Sequence, residues 1–146
     1  MNKLKFCPVC SIPLIHRSDE LVNGKARLAC STGHWTYWDN PIPVLAAIVE
    51  TDSKIILVRN AARPNGRLTL ITGFMERDET PEQGIAREIK EEINLDTEYT
   101  KLIGVYEFIS KNELIIAYYA KATGKIRLSS ELLEYQLFEP NYLIIF

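Results

Sequence analysis

The chain is poor in several things, and each shortage removes a class of answers. It has 146 residues and only three cysteines, Cys7, Cys10 and Cys30. An odd count with no export signal argues against a disulfide scaffold. No run approaches the roughly 20 apolar residues of a membrane span. The N-terminus, MNKLKFCPVC, has a basic start but no apolar h-region, so no signal peptide is read and a cytoplasmic location is the expectation. Cationic excess is also missing. Seventeen Lys and Arg face nineteen Asp and Glu, a net charge of −2, which lacks the basic footprint of a nucleic-acid binder. Apolar residues at 47% and charged residues at 25% describe an ordinary globular chain.

What is present divides near residue 40. Residues 1–40 are rich in Cys, Ser and turn signals such as Asn23-Gly24, with short strand-like pieces at Leu14–His16 and Ala26–Ala29. They hold too little apolar material for a core of their own. Cys7-Pro-Val-Cys10 is a CxxC knuckle, and Cys30 with His34 follows after a hairpin's length of chain. Three thiolates and one imidazole suit a tetrahedral structural zinc, whose binding would supply the missing folding energy. The second pair is Cys-x₃-His rather than CxxC, and His16 is the only other histidine. A reduced, metal-free turn with buried thiols is the plainer alternative. A redox role is weaker, because no thioredoxin-like βαβ pattern surrounds the CxxC.

Residues 41–146 read as a second domain with strands on both sides of one helix. Val44–Glu50 and Lys54–Asn60 form an antiparallel pair around a turn at Thr51-Asp52-Ser53. Leu68–Gly73 is a short strand ending in glycine. Thr80 as N-cap, Pro81 at the first helical position and Gln83 closing a capping box predict a helix from Pro81 to about Ile93. Lys101–Ser110 and Glu113–Ala122 read as a further pair, with a turn at Thr123-Gly124-Lys125. Leu128–Phe138 holds a short strand or helix. The apolar end, Asn141–Phe146, needs a home in the core or at an interface. Strands before and after a mid-chain helix indicate an α+β or mixed α/β sandwich.

The helix carries the chemistry. At 100° per residue Ile85, Ile89 and Ile93 share one arc, with Ala86 beside it, as the core-facing stripe. Glu88 and Glu92 border that stripe and Glu91 lies slightly further round. Glu88 and Glu92 are a like-charge i, i+4 pair, and Glu91 and Glu92 sit where the macrodipole disfavours anions. A stretch that breaks two local rules together is a candidate site. Clustered carboxylates beside a core face suit a hard divalent cation, Mg²⁺ or Mn²⁺. A solvated charged face is the bland reading of the same residues.

The stretch also resembles the Nudix box: Gly73, Glu79, Arg87, Glu88, Ile89, Glu91, Glu92 and Leu95 stand in its register. Asn94 replaces the final glycine, and Asn tolerates the left-handed conformation better than most residues. The resemblance implies an α/β/α sandwich with a mixed sheet and hydrolysis of a nucleoside diphosphate linked to another moiety. It implies that Glu88, Glu91, Glu92 and the Gly73 carbonyl hold the divalent cations and that Glu79 and Arg87 orient the turn; the family uses no one fixed base, and Glu91 is the base expected here. Glu131 looks like the later glutamate of zinc-ribbon Nudix enzymes and is the rival. The N-terminal segment is similar to the ribbon preceding the catalytic domain in enzymes of the NADH pyrophosphatase group. The aromatic–proline run such enzymes carry after the box is absent from Val105–Ala120, and so is the proline typical of ADP-ribose enzymes. A small nucleotide substrate, NADH-like, ADP-ribose-like or a nucleotide sugar, is therefore expected without a single choice among them. Trp35, Tyr37 and Trp38 read as packing before they read as a stacking platform, and Arg59, Arg63 and Arg67 as either phosphate contacts or a solvated loop. A homodimer fits the apolar end. A nucleotide sensor that does not cleave, and a zinc-ribbon adaptor binding RNA or protein, are the alternatives from other classes.

Overall fold

A computed structural model describes residues 4–18 and 26–142. The Asn23-Gly24 turn and most of the Asn141–Phe146 end lie outside the described residues. The chain divides into two compact units, Met1–Asn40 and Pro41–Phe146.

The first unit is built on an antiparallel pair, β1 (Leu14–Ser18) and β2 (Ala26–Cys30), in a register that sets Leu14 against Cys30. Two tight turns flank it. Ser11 N–H donates to the Cys7 carbonyl at 2.9 Å, and Gly33 N–H donates to the Cys30 carbonyl at 3.0 Å. Each turn ends in the left-handed region, Ser11 at φ 60° and Gly33 at φ 80°. Both turns therefore bend the chain back beneath a cysteine. Among the described residues of this unit, Cys7, Ala29 and Cys30 are buried.

The second unit is a mixed sheet with a helix against it. Its strands are β3 (Ile42–Thr51), β4 (Lys54–Asn60), β5 (Ile71–Phe74), β6 (Asp96–Phe108), β7 (Glu113–Thr123) and β8 (Leu132–Phe138), in the order β6-β7-β3-β4-β8. The β3–β7 pair is parallel and the others are antiparallel. One edge of β3 serves two partners: Val49–Thr51 pair with β4, and Val44–Ala47 pair with β5. That division brings Gly73 opposite Leu45 at the sheet's centre. The Asp52-Ser53 hairpin has both residues at positive φ, the conformation whose twist matches the strands.

The helix α1 runs Pro81–Ile93 as its caps predict. Thr80 accepts from Gln83 N–H, Gln83 returns the bond to Thr80 N–H, and Asn94 ends the helix at φ 61°, ψ 23°. Asn94 thus takes the left-handed conformation for which a glycine is the usual choice, and its side chain donates to the Lys125 carbonyl at 3.0 Å. Ile85, Ile89 and Ile93 are fully buried against Leu45, Val49, Ile56 and Tyr118. Tyr118 Oη–H donates to Glu82 at 2.6 Å and ties β7 to the first helical turn.

Two expectations shift at their edges. Leu68–Leu70 lie before β5, with Thr69 held to Val58 by an isolated bridge. The strand expected from Lys101 begins at Asp96, because β7 is long enough to offer Asp96 a partner at Thr123. Leu132–Phe138 resolves as a strand. Among the described residues α1 is the one α-helix, and no helix covers the opposite face of the sheet.

Gly84, inside the helix, lets α1 approach the sheet. A Cβ there would lie 2.3 Å from Leu45 Cδ1 and 2.6 Å from Glu79 Oε1. Leu45 is fully buried and has no room to withdraw. Gly84→Ala gains about 1 kcal/mol of helix propensity and loses about 1–3 kcal/mol to overpacking. The expected outcome is a net loss on the order of 1 kcal/mol, read by urea denaturation. A variant as stable as the parent would mean the helix can lift without cost.

Candidate active site

Arg87 is the centre of the acidic cluster. Its Nε donates to Glu79 Oε2 at 3.0 Å and its Nη2 to Glu79 Oε1 at 2.9 Å, a two-pronged pair. Nη1 reaches Glu88 Oε1 at 2.7 Å and Glu91 Oε2 at 3.1 Å. Nη2 also donates to the Phe74 carbonyl at 3.1 Å. One planar guanidinium therefore spans the loop before the helix, the end of β5 and the helix itself.

Glu79 is held from a second side by Glu76 N–H at 2.7 Å. The Arg87 hydrogen bonds and that backbone donor hold its carboxyl down to about 2. Glu88 differs. Its side chain is 12% exposed, and burial pushes its carboxyl up against the pull of Arg87. The carboxylate lies over Gly73, where a Cβ would stand 1.9 Å from Glu88 Cδ. Only glycine leaves room for that carboxylate against β5. Glu92 is pushed up to about 7, first by burial and then by the charges of Glu88, Glu131 and Glu91. Glu91 is the exposed member, its side chain 61% open.

The structure thus brings Gly73, Glu79, Arg87, Glu88, Glu91 and Glu92 to one place, and the Ser129 N–H, donating to the Glu92 carbonyl at 2.9 Å, brings the segment before β8 beside the helix end. Glu131 is anchored through its backbone, whose carbonyl accepts from Ala61 N–H at 2.7 Å. Carboxylates facing one another at a partly buried edge, with one arginine among them, are a donor set for a hard divalent cation. Arg87 is bonded to three of these glutamates, Glu79, Glu88 and Glu91.

The thiols of Cys7, Cys10 and Cys30 all lie within 4.8 Å of one another. Among the described residues they are the one group of three or more such ligand atoms so gathered. Cys10 Sγ and Cys30 Sγ are 3.5 Å apart. A zinc tetrahedron with Zn–S near 2.3 Å has edges of roughly 3.8 Å, so the spacing fits. Val9 N–H points at Cys7 Sγ at 3.4 Å. Thr32 Oγ1 lies 2.9 Å from Cys30 Sγ, and this hydrogen bond leads the causes that hold the Cys30 thiol down to about 6. His34 stands outside the thiol group, with Nδ1 3.3 Å from Thr32 Oγ1. His16 is exposed on β1.

Other candidates stand apart from the carboxylate cluster's hydrogen bonds. Arg59 pairs with Glu134 at 2.8 Å and donates to the Gly66 carbonyl, which makes it a brace between β4, β8 and the following loop. Arg63 and Arg67 are exposed. Trp35 and Tyr37 stack with centroids 6.0 Å apart, and the Arg27 guanidinium lies 5.4 Å above Trp38. Sequence reasoning missed Gly84, the Phe74 carbonyl and Thr32. A glycine inside an otherwise strong helix was the one legible signal among them.

Two carboxyls give opposite pH dependences. Glu79, held below its ordinary value near 4.5, contributes stability above that value, and the contribution is lost as pH falls toward 2. Glu92, held above it, makes the folded state bind more protons between 4.5 and about 7. Metal-free protein should therefore lose stability as pH rises through that window. Thermal melts in chelator across pH 4–8 should show this decline, and Glu92→Gln should flatten it. An unchanged slope in Glu92→Gln would assign the effect to another group.

A sequence model of the NUDIX domain matches residues 39–144. Among curated proteins the chain is 28% identical over 123 residues to an NAD-capped RNA hydrolase NudC of Vibrio atlanticus, which covers 84% of this chain and 44% of that protein. It is 35% identical over 91 residues to a MutT-like protein of Streptomyces ambofaciens, covering 62% of this chain and 58% of that one. The chain thus spans under two thirds of the length of these relatives. Among solved structures, a NUDIX hydrolase from Nitrosomonas europaea superposes with a TM-score of 0.82 at 32% identity, over 94% of this chain and 79% of that one. No helix among the described residues is long and apolar enough to cross a membrane. With the box in register on α1 and the domain matched over most of its length, the chain belongs to the Nudix hydrolase family.

Proposed function

We propose that this chain is a divalent-metal-dependent pyrophosphohydrolase that cleaves a nucleoside diphosphate joined to another moiety. The observation that carries the reading is the Arg87-centred carboxylate cluster at the junction of β5 and α1. Water adds to one phosphorus, the bridging P–O bond breaks, and a nucleoside monophosphate and a phosphorylated partner leave. Mg²⁺ or Mn²⁺ would neutralise pyrophosphate charge and acidify the attacking water.

Glu88, Glu91 and Glu92, with the Gly73 carbonyl, would hold the metal. Burial of Glu88 and Glu92 supports this, because their ionised forms are disfavoured until a cation arrives. Glu79 and Arg87 are positioning residues. Their two-pronged pair fixes the loop before the helix, so the carboxylates start aligned. Glu91, the most exposed of the three and held by a single contact to Arg87, takes the water's proton, with Glu131 as the rival. Cys7, Cys10 and Cys30 would hold a structural zinc. His34, exposed and one hydroxyl away from Cys30, would complete it by turning its ring.

The substrate favoured is an NADH-like or ADP-ribose-like dinucleotide, or a nucleotide sugar. Relatives named as NAD-capped RNA hydrolases support a dinucleotide core. The near-neutral charge favours the small molecule over the RNA chain.

The test is a panel of NADH, NAD, ADP-ribose, nucleotide sugars and an NAD-capped RNA, assayed with Mg²⁺ or Mn²⁺ and products resolved by chromatography. Glu91→Gln should lower kcat by roughly 10²–10⁴-fold with little change in KM, and Glu131→Gln should do much less. The reverse ranking would move the base to Glu131. Faster turnover of capped RNA than of free NAD would move the substrate assignment to RNA.

Zinc is tested separately. Metal analysis after gentle purification should give one zinc per chain, reduced in Cys30→Ser. Absence of zinc from the parent would leave the thiols as a metal-free turn.

A further inference from the structure

The outer strand of the sheet is unlike a solvent-facing strand. β6 is an edge strand of 13 residues, and among the described residues nothing pairs with its outer side. Tyr99, Leu102, Ile103, Val105, Tyr106 and Phe108 each expose between 39% and 53% of their surface. For side chains of this size that amounts to roughly 500 Å² of largely apolar surface per chain. A standard interface takes about 800 Å² from each partner, and pairing of the free backbone edge adds to the side-chain share. A long, apolar, unpaired edge is a template for another strand.

The strand's register says which strand fits. Before the bulge, Tyr99 pairs with Lys121, Lys101 with Tyr119 and Leu102 with Tyr118. After it, Gly104 pairs with Ala117, Val105 with Ile116 and Tyr106 with Ile115. Ile103 is the extra residue. Directly opposed residues project to the same face of a sheet, and Tyr118 faces the helix through its bond to Glu82. So Thr100, Leu102, Val105 and Glu107 face the helix side. Tyr99, Lys101, Tyr106 and Phe108 face the other side. In an unbroken strand, residues 101 and 106 would point to opposite faces. The bulge reverses the phase at mid-strand and makes the two halves mirror images in side-chain direction.

We propose that β6 is a homodimer interface, in which the β6 edges of two copies pair antiparallel about a two-fold axis passing between Ile103 and Gly104. This register opposes Leu102 to Val105, Lys101 to Tyr106, Thr100 to Glu107 and Tyr99 to Phe108 of the partner, each pair on one face. The pairs are aliphatic with aliphatic, cation with aromatic ring, hydroxyl with carboxylate and ring with ring. No like charges oppose each other. The two sheets then continue as one, and the apolar edge is covered on both copies by the same operation, as an isologous contact requires.

Three measurements on the full chain test this. Light scattering should give twice the chain mass of 16.7 kDa. Leu102→Lys combined with Val105→Lys should return it to the single mass with an unchanged circular dichroism spectrum. Lys101→Cys combined with Tyr106→Cys should give a covalent dimer under mild oxidation. Opposed residues sit about 5 Å apart across the axis, whereas within one strand these positions are roughly 16 Å apart and cannot join. The unsubstituted parent, oxidised in parallel, reports any linkage through Cys7, Cys10 or Cys30. A chain that stays at single mass at high micromolar concentration overturns the proposal. So does a dimer that survives the two lysines, or one whose paired cysteines do not link.

Discussion

The arginine at position 87 is the constraint on which the acidic cluster depends. Four negative or partly negative groups converge where β5 meets α1, and nothing but a delocalised cation with several donors reaches all of them. Its fork satisfies both oxygens of Glu79, while its remaining donors reach Glu88, Glu91 and the Phe74 carbonyl. A lysine would supply the charge but not the plane. The pair with Glu79 also closes the loop of residues 74–79 onto the helix. One side chain of the helix therefore ties the loop and the strand end to it.

Two glycines make that convergence sterically possible. Gly84 allows α1 to sit against Leu45, and Gly73 allows the Glu88 carboxylate to rest on β5. The burial that follows is unfavourable for ionised carboxylates, and it is felt at Glu88 and Glu92. The isoleucine stripe of the helix offsets it, anchoring three fully buried side chains in the core. Stability on one face of α1 thus supports strain on its neighbour, which is how a helix can carry like charges at i and i+4.

The first unit solves a different problem with the same economy of residues. Two turns, each ending in a left-handed residue, bring Cys7, Cys10 and Cys30 within reach of one another around a single hairpin. The sheet of the second unit resolves its own difficulty less completely, because β6 leaves an apolar edge uncovered among the described residues.

By itself the sequence determined the features that depend on local chemistry. The limits of α1 followed from Thr80, Pro81, Gln83 and Asn94, because caps act within one turn. The buried stripe followed from the spacing of Ile85, Ile89 and Ile93, and the thiol cluster from CxxC and one distant cysteine. Only the tertiary structure decided the rest. The parallel pairing of β3 with β7, the sharing of β3 between β4 and β5, and the start of β6 at Asp96 depend on which distant strand offers an edge. The spread of Arg87 over three elements, the resting of Glu88 on Gly73, and the commitment of Arg59 to Glu134 depend on distances across the fold. The bulge at Ile103 belongs to the same class, since it exists only as a mismatch between two strands. Caps and stripes are written in neighbours along the chain, whereas register and convergence are written in neighbours across it.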